Sequence, residues 1–161
     1  DFCLSRGLGD VYKRQILKSM LSVGHRIPKK NILISSGPTR SKVELLNSTR
    51  MLIEKGYNIY STAGTAKFFK ENGIDTQILY WPDEDKEPNI MEYLHDRRID
   101  LVINIPKNHT KRELDNGYKI RRAAVDYNIP LITNARLASA FIYAICKVDP
   151  SEIAIKSWDE Y

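Results

Sequence analysis

From Asn31 onward, short apolar runs without alternation are separated by longer segments whose apolar residues recur every three to four positions. Short, β-branched runs of that kind predict buried strands, and the longer periodic segments predict amphipathic helices. Strands are expected over 31–35 (NILIS), 58–61, 76–80, 101–105 (LVINI) and 130–133 (PLIT), with helices over 42–55, 66–72, 89–97, 117–127 and 135–146. On the first of these helices Val43, Leu46, the stem of Arg50 and Ile53 share one face, and Gly56 stops it as glycine commonly does at a helix end. Five strand–helix units in succession require right-handed crossovers into a mainly parallel sheet covered on both faces. The expected fold is therefore α/β: a three-layer, doubly wound sandwich around a five-stranded, mainly parallel sheet.

The pattern differs upstream. ILKSMLSVG, from Ile16, has helical spacing that HRIPKK and Pro28 break, as a linker helix entering a domain would. Asp1–Gln15, ending in GLGDVYKRQ, has no convincing period and resembles translated sequencing-adapter read-through, so residues 1–15 are expected to be non-native and are kept out of the fold reasoning. Residues 16–29 are then a linker from an upstream domain, and 30–161 a single domain closing on a polar tail, KSWDEY, anchored by Trp158.

Composition changes this picture little. The chain is 42% hydrophobic and 28% charged, ordinary values for a globular domain, and no apolar run approaches the roughly 20 residues that span a bilayer, so no membrane partner is expected. The two cysteines, Cys3 and Cys146, do not suggest a disulfide framework, which fits a reducing cytoplasm. A net charge of +5 raises nucleic acid as a partner, but the basic residues are scattered among 20 acidic ones with no arginine-rich or aromatic-interleaved stripe. Small anions suit that charge better.

In open parallel sheets ligands bind beyond the carboxyl ends of the strands, so the residues following each strand carry the chemistry. SSGPTRSK (35–42) has Gly37 for close backbone approach and Thr39 or Ser41 as helix caps, but lacks the second glycine and Gly-Lys-Ser/Thr ending of a phosphate-binding P-loop. STAGT (61–65) places hydroxyls on either side of Gly64 at a helix start, where free amides and the helix dipole favour an anion; Thr62 and Thr65 would equally serve as plain helix caps. Trp81, in YWPDEDKEP, supplies an apolar wall on the same edge or simply joins the core. After the fourth strand come Asn104, Lys107, Asn108 and Asn116, donors for carboxylate or phosphate oxygens, although asparagines beside a sheet also tie loops together. His25, His95 and His109 stand apart, with neither metal-ligand spacing nor a Ser-His-Asp arrangement, so no catalytic or metal site is expected.

Several motifs in order resemble a known family: STAGTAKFF then ENGI, YWPDEDKEPNI, DLVINIPKN and NGYKIRRAAVDYNIPLITN, preceded by LKSMLSVGHRIPKK. From Lys29 to Tyr161 the chain resembles the methylglyoxal-synthase-like domain that closes the large subunit of carbamoyl-phosphate synthase. The resemblance implies a regulatory domain without a catalytic step, which binds a small anionic effector and biases the ATP-using domains of the same large subunit. In the full-length ligase those domains use ATP with magnesium or manganese, a glutaminase small subunit is the partner, and the product feeds pyrimidine and arginine biosynthesis; no cofactor is implied for this segment.

Carried onto this sequence, the resemblance makes Thr62 and Thr65 the holders of the effector's phosphate or carboxylate, with Asn104, Asn116, Lys107 and Asn108 as further polar contacts. At the position of Trp81 the nucleotide-inhibited bacterial relatives look to carry lysine and the acetylglutamate-activated animal enzymes tryptophan. Tryptophan cannot neutralise a phosphate, so a nucleotide monophosphate would need Lys107, Lys67 or Arg40 instead, and an acylated amino acid stays open beside it. The competing implication is methylglyoxal synthase itself, a lyase that removes phosphate from dihydroxyacetone phosphate. It would need a general base that WPDED, without the synthases' glycines, offers only as Asp83 or Asp85, or else Asp115.

Overall fold

The structure, a computed structural model, describes residues 2–107 and 110–148. In chain order the elements are α1 (Phe2–Ser22), β1 (Asn31–Ser36), α2 (Thr39–Glu54), β2 (Asn58–Ser61), α3 (Ala63–Glu71), β3 (Gln77–Ile78), α4 (Ile90–His95), β4 (Leu101–Ile105), α5 (Lys111–Asp126), β5 (Leu131–Ile132) and α6 (Ala135–Lys147). The five strands form one all-parallel sheet in the order β3-β2-β1-β4-β5. The chain winds outward from β1 through β2 to β3, returns past β1 to β4, and winds outward again to β5. The loops leaving β1 and β4 therefore diverge to opposite faces, which opens a crevice at the carboxyl edge between them.

Alternate strand residues feed two cores. Ile32, Ile34, Leu101, Ile103 and Ile105 pack with Leu17 and Met20 of α1, Leu45 and Leu52 of α2, Phe69 of α3 and Phe141 and Ile142 of α6. Leu33, Tyr60 and Val102 point the other way, onto Ile90 and Leu94 of α4 and Ile120, Ala123 and Ala124 of α5. Burial on both faces explains why β1 and β4 carry no polar alternation. The edge strands β3 and β5 are only two residues long, shorter than their apolar runs suggest, because each pairs on one side alone.

Three expectations change. The stripe of α2 is turned: Leu45, Ser48, Thr49 and Leu52 are buried, while Val43 and Ile53 are 55% and 41% exposed. Small residues let α2 lie close to α6, where Ser139 Oγ donates to Glu44 O (3.2 Å), and the buried Thr49 hydroxyl satisfies itself on Leu45 O (2.8 Å). A pattern that counts serine and threonine as polar misses such a face. Helix starts also lie earlier than the apolar period does, at Ala63 for α3 and Lys111 for α5, the latter because Thr110 Oγ1 accepts from the Glu113 N–H (3.2 Å). Finally, α1 is helical from Phe2, so the segment read as aperiodic joins the helix begun by ILKSM. The buried Cys146 is a free thiol whose pKa burial raises, and Trp158 lies outside the described residues.

Candidate functional site

The crevice is closed from below by a backbone contact that only glycine permits. The Gly37 N–H donates to Ile105 O (3.0 Å), and a β-carbon on Gly37 would sit 2.0 Å from the Lys107 Cβ and 2.8 Å from its backbone N and Cα. The loop after β1 and the loop after β4 are thus locked together, and Lys107 is delivered to the crevice. Neither Thr39 nor Ser41 caps α2; its N-cap is Pro38, without a side-chain bond.

The second wall is the turn from β2 into α3. Thr62 and Thr65 are 4% and 1% exposed, and neither hydroxyl caps the helix. Thr65 Oγ1 accepts from the Ser36 N–H (3.0 Å) and donates to Ser36 O (3.2 Å), while Thr62 Oγ1 lies 3.3 Å from both Ser35 Oγ and Thr65 Oγ1. The hydroxyls bind sideways, stitching β2 to β1, and so leave the first-turn amides of α3 without a side-chain cap. An anion is the natural partner for amides at a helix start.

Trp81 is set by the loop between β3 and α4. The Trp81 N–H donates to Glu84 Oε2 (2.9 Å), and Asn89 Nδ2 ties the loop shut by donating to Trp81 O and Glu84 O (3.0 and 3.1 Å). Arg112, from the first turn of α5, lies over the indole at 5.4 Å and donates through Nη2 to Asp83 Oδ1 (3.2 Å). That bond, with a further one from Asn116, holds the Asp83 carboxyl below the usual carboxylate range. Deeper in, Arg121 Nη1 donates to Asn104 Oδ1 (2.8 Å), and Gly117 leaves the room for this pair.

These walls enclose a cavity of about 270 Å3 lined by Ser35, Ser36, Thr62, Thr65, Trp81, Asn104 and Lys107, with Lys42, Arg112 and Glu113. Its charge is uneven. Lys42 reaches across to Gly64 O (3.5 Å), and its pKa is lowered, first by burial and then by the nearby Lys107. Lys107 in turn lies 3.6 Å from Glu113 Oε1. Two lysines, four hydroxyls and the α3 amides thus form a cationic floor, faced by Trp81, Arg112 and two carboxylates, Glu84 and Glu113. Such a cavity can hold a small anion with an apolar or planar body.

Thr62, Thr65, Trp81, Asn104 and Lys107 are brought together as the sequence suggested. Asn116 is buried behind the wall, not on it; it lies on α5, one residue from the cavity-lining Gly117, and helps to lower the Asp83 pKa. Asn108 and His109 lie outside the described residues. Lys67 and Arg40 do not line the cavity; Lys42 joins Lys107 as the lysine pair. Of the acids considered as bases, Asp83 is committed to Arg112, and neither Asp85 nor Asp115 reaches the cavity wall, which carries Glu84 and Glu113. Lys42, Arg112 and Glu113 were overlooked because all three sit in helix first turns, and only Thr110-x-x-Glu113, a capping signature, announced one of those turns in the sequence.

A doubly wound parallel sheet with a lysine-bearing cavity at its switch point defines an α/β domain whose candidate site lies at the carboxyl edge of the sheet. Residues 44–133 match the model of the MGS-like domain, and the chain belongs to that family. It is 44% identical to the multifunctional protein ura1 of Schizosaccharomyces pombe over 81% of this chain and 6% of that protein. It is also 38% and 34% identical to the carbamoyl phosphate synthase large chain, C-terminal section, of Aquifex aeolicus and Methanocaldococcus jannaschii, over 80% and 96% of this chain. The chain spans only 6% of the length of the first of these relatives and about a quarter of the other two (23% and 25%). The methylglyoxal synthase of Elizabethkingia anophelis NUHP1 shares the fold, with a TM-score of 0.51 at 17% identity over 83% of this chain and 90% of that one.

Proposed function

We propose that this chain is the effector-binding MGS-like domain of a carbamoyl-phosphate synthase large chain, which holds a small anion in the switch-point cavity and biases the ATP-using domains of the same chain. One observation carries the binding half of this reading: Lys42, Lys107 and the hydroxyls of Ser35, Ser36, Thr62 and Thr65 converge on one cavity. The sequence likeness to carbamoyl phosphate synthase sections, against 17% identity to a methylglyoxal synthase, supports the regulatory half. The pairing of Asp83 with Arg112 counts against a lyase, because a carboxylate held below its usual range is a poor proton acceptor. Regulation would follow by linkage: an effector shifts the ligase only as far as it prefers one of its conformations, typically by about 1–3 kcal/mol.

The effector would place its phosphate or carboxylate on the lysine and hydroxyl floor and its body against Trp81, which suits either an acylated amino acid or a nucleotide monophosphate. Thermal unfolding of the chain with acetylglutamate, uridylate, inosinate, ornithine and dihydroxyacetone phosphate tests this. A ligand at a hundred times its dissociation constant adds about 2.7 kcal/mol, a rise of roughly 5–10 °C for a chain of this size. A rise with an acylated amino acid or a nucleotide is the expected result. Methylglyoxal release from dihydroxyacetone phosphate, or no rise with any of the five, would overturn the proposal.

A further inference from the structure

We infer that Glu113 sets the specificity of this cavity: its Oε2 demands a hydrogen-bond donor on the ligand, so the site prefers an anion carrying an N–H or O–H to an equally charged anion without one. The inference deepens the effector-binding reading and rests on it. Thr110 and Glu113 stand in the spacing of a capping box, in which the glutamate would ordinarily fold back to the N-cap amide. The threonine half is made, with Thr110 Oγ1 accepting from the Glu113 N–H. Glu113 Oε2, however, is buried and takes no hydrogen bond, while Oε1 lies near Lys107. A carboxylate oxygen withdrawn from water without a donor is costly, and Glu113 lines the cavity where a ligand would supply one.

Ser36 Oγ, which lines the same cavity as Lys42 and Lys107, is likewise buried and unpartnered. A hydroxyl can donate to an anion and a carboxylate can only accept. The empty hydrogen-bonding positions of the cavity therefore have opposite sense, and a bare anion completes one of them alone. A ligand with an anionic end and a donor further along its body completes both.

The test uses matched ligands on the 161-residue chain. Acetylglutamate, whose only donor as a dianion is its amide N–H, is compared with 2-acetoxyglutarate, in which an ester oxygen replaces it. Uridylate is compared with its 3-methyl-2′,3′-dideoxy form, which has lost every N–H and O–H of its base and sugar. Dissociation constants are measured by calorimetry for the unaltered protein, Glu113→Gln and Glu113→Met, all of which keep the backbone bond to Thr110. The unaltered protein should favour a parent ligand over a donor-less analogue by about ten- to a hundredfold, the scale of a lost hydrogen bond to a charged group. That preference should shrink in Glu113→Gln and collapse in Glu113→Met. Equal affinity of parent and analogue for the unaltered protein overturns the inference and leaves effector binding standing. So does an equal change for both ligands in Glu113→Met, which would make Glu113 a repulsive charge or a support for Lys107. Failure of every parent ligand to bind overturns the effector-binding reading and this inference with it.

Discussion

Replacing Gly37 by alanine tests whether the two sides of the crevice are locked as described. The added methyl would start 2.0 Å from the Lys107 Cβ and 2.8 Å from its backbone, whereas carbon atoms settle at about 3.5–4.0 Å. The segment at Pro106–Lys107 must retreat by about 1.5 Å, since the nearest atoms belong to the backbone or its first side-chain carbon and cannot swing aside. Overpacking of this kind costs about 1–3 kcal/mol, and the Gly37–Ile105 bond beneath it would be stretched as well. A fall in melting temperature of roughly 2–12 °C is expected. Lys107 would leave its place on the cavity floor, weakening anion binding by roughly tenfold or more, as for a lost hydrogen bond to a charged group. Gly64→Ala is the control: a methyl there meets nothing within 4 Å, and alanine favours the helix by up to about 1 kcal/mol, so that variant should melt no lower than the parent. Urea unfolding and calorimetric titration on both variants give the answer. Gly37→Ala melting within about a degree of the parent and binding equally well would refute the locked-loop geometry.

Thr65→Ala should destabilise the fold by about 1–3 kcal/mol, because the buried Ser36 amide loses its acceptor, whereas Thr62→Ala, with hydroxyl contacts of 3.3 Å only, should cost less than about 1 kcal/mol. Both should lose anion binding, and equal destabilisation in urea would contradict the roles assigned to the two hydroxyls. The depressed pKa of Lys42 gives a pH signature: a bound anion restores its charge, so binding takes up a proton between its free and bound pKa values. Affinity should therefore fall as pH rises through the free-state value, which lies below 10.5, and titrations in buffers of different ionisation enthalpy would show the uptake.

The fold was largely legible because a parallel sheet buried on both faces writes itself as unbroken apolar runs; the limits of β2 and β4 coincide with theirs. Thr62, Trp81 and Asn104 were legible for a topological reason, since whatever follows a strand of such a sheet lies on its carboxyl edge. The α2 face was not, because Ser48 and Thr49 pack where an apolar pattern expects larger side chains. Nor was the first turn of α2, and that of α5 was announced only by the Thr110-x-x-Glu113 capping signature. KRELDN carries no apolar period, so Arg112 and Glu113 gave no hint that they return to the cavity beside a tryptophan from another loop.

The seam between β1 and β4 also bears on redesign. Glu84 and Arg112 hang from a surface loop and a helix start and belong to neither core, so exchanging them would re-tailor the binding chemistry, whereas Trp81 also packs against the second core and tolerates only another bulky apolar side chain. Gly37 and Thr65 belong to site and scaffold at once, through the Lys107 contact and the Ser36 stitch. A graft of new specificity onto this frame has its freedom on the α4–α5 side of the cavity and almost none on the β1–β2 side.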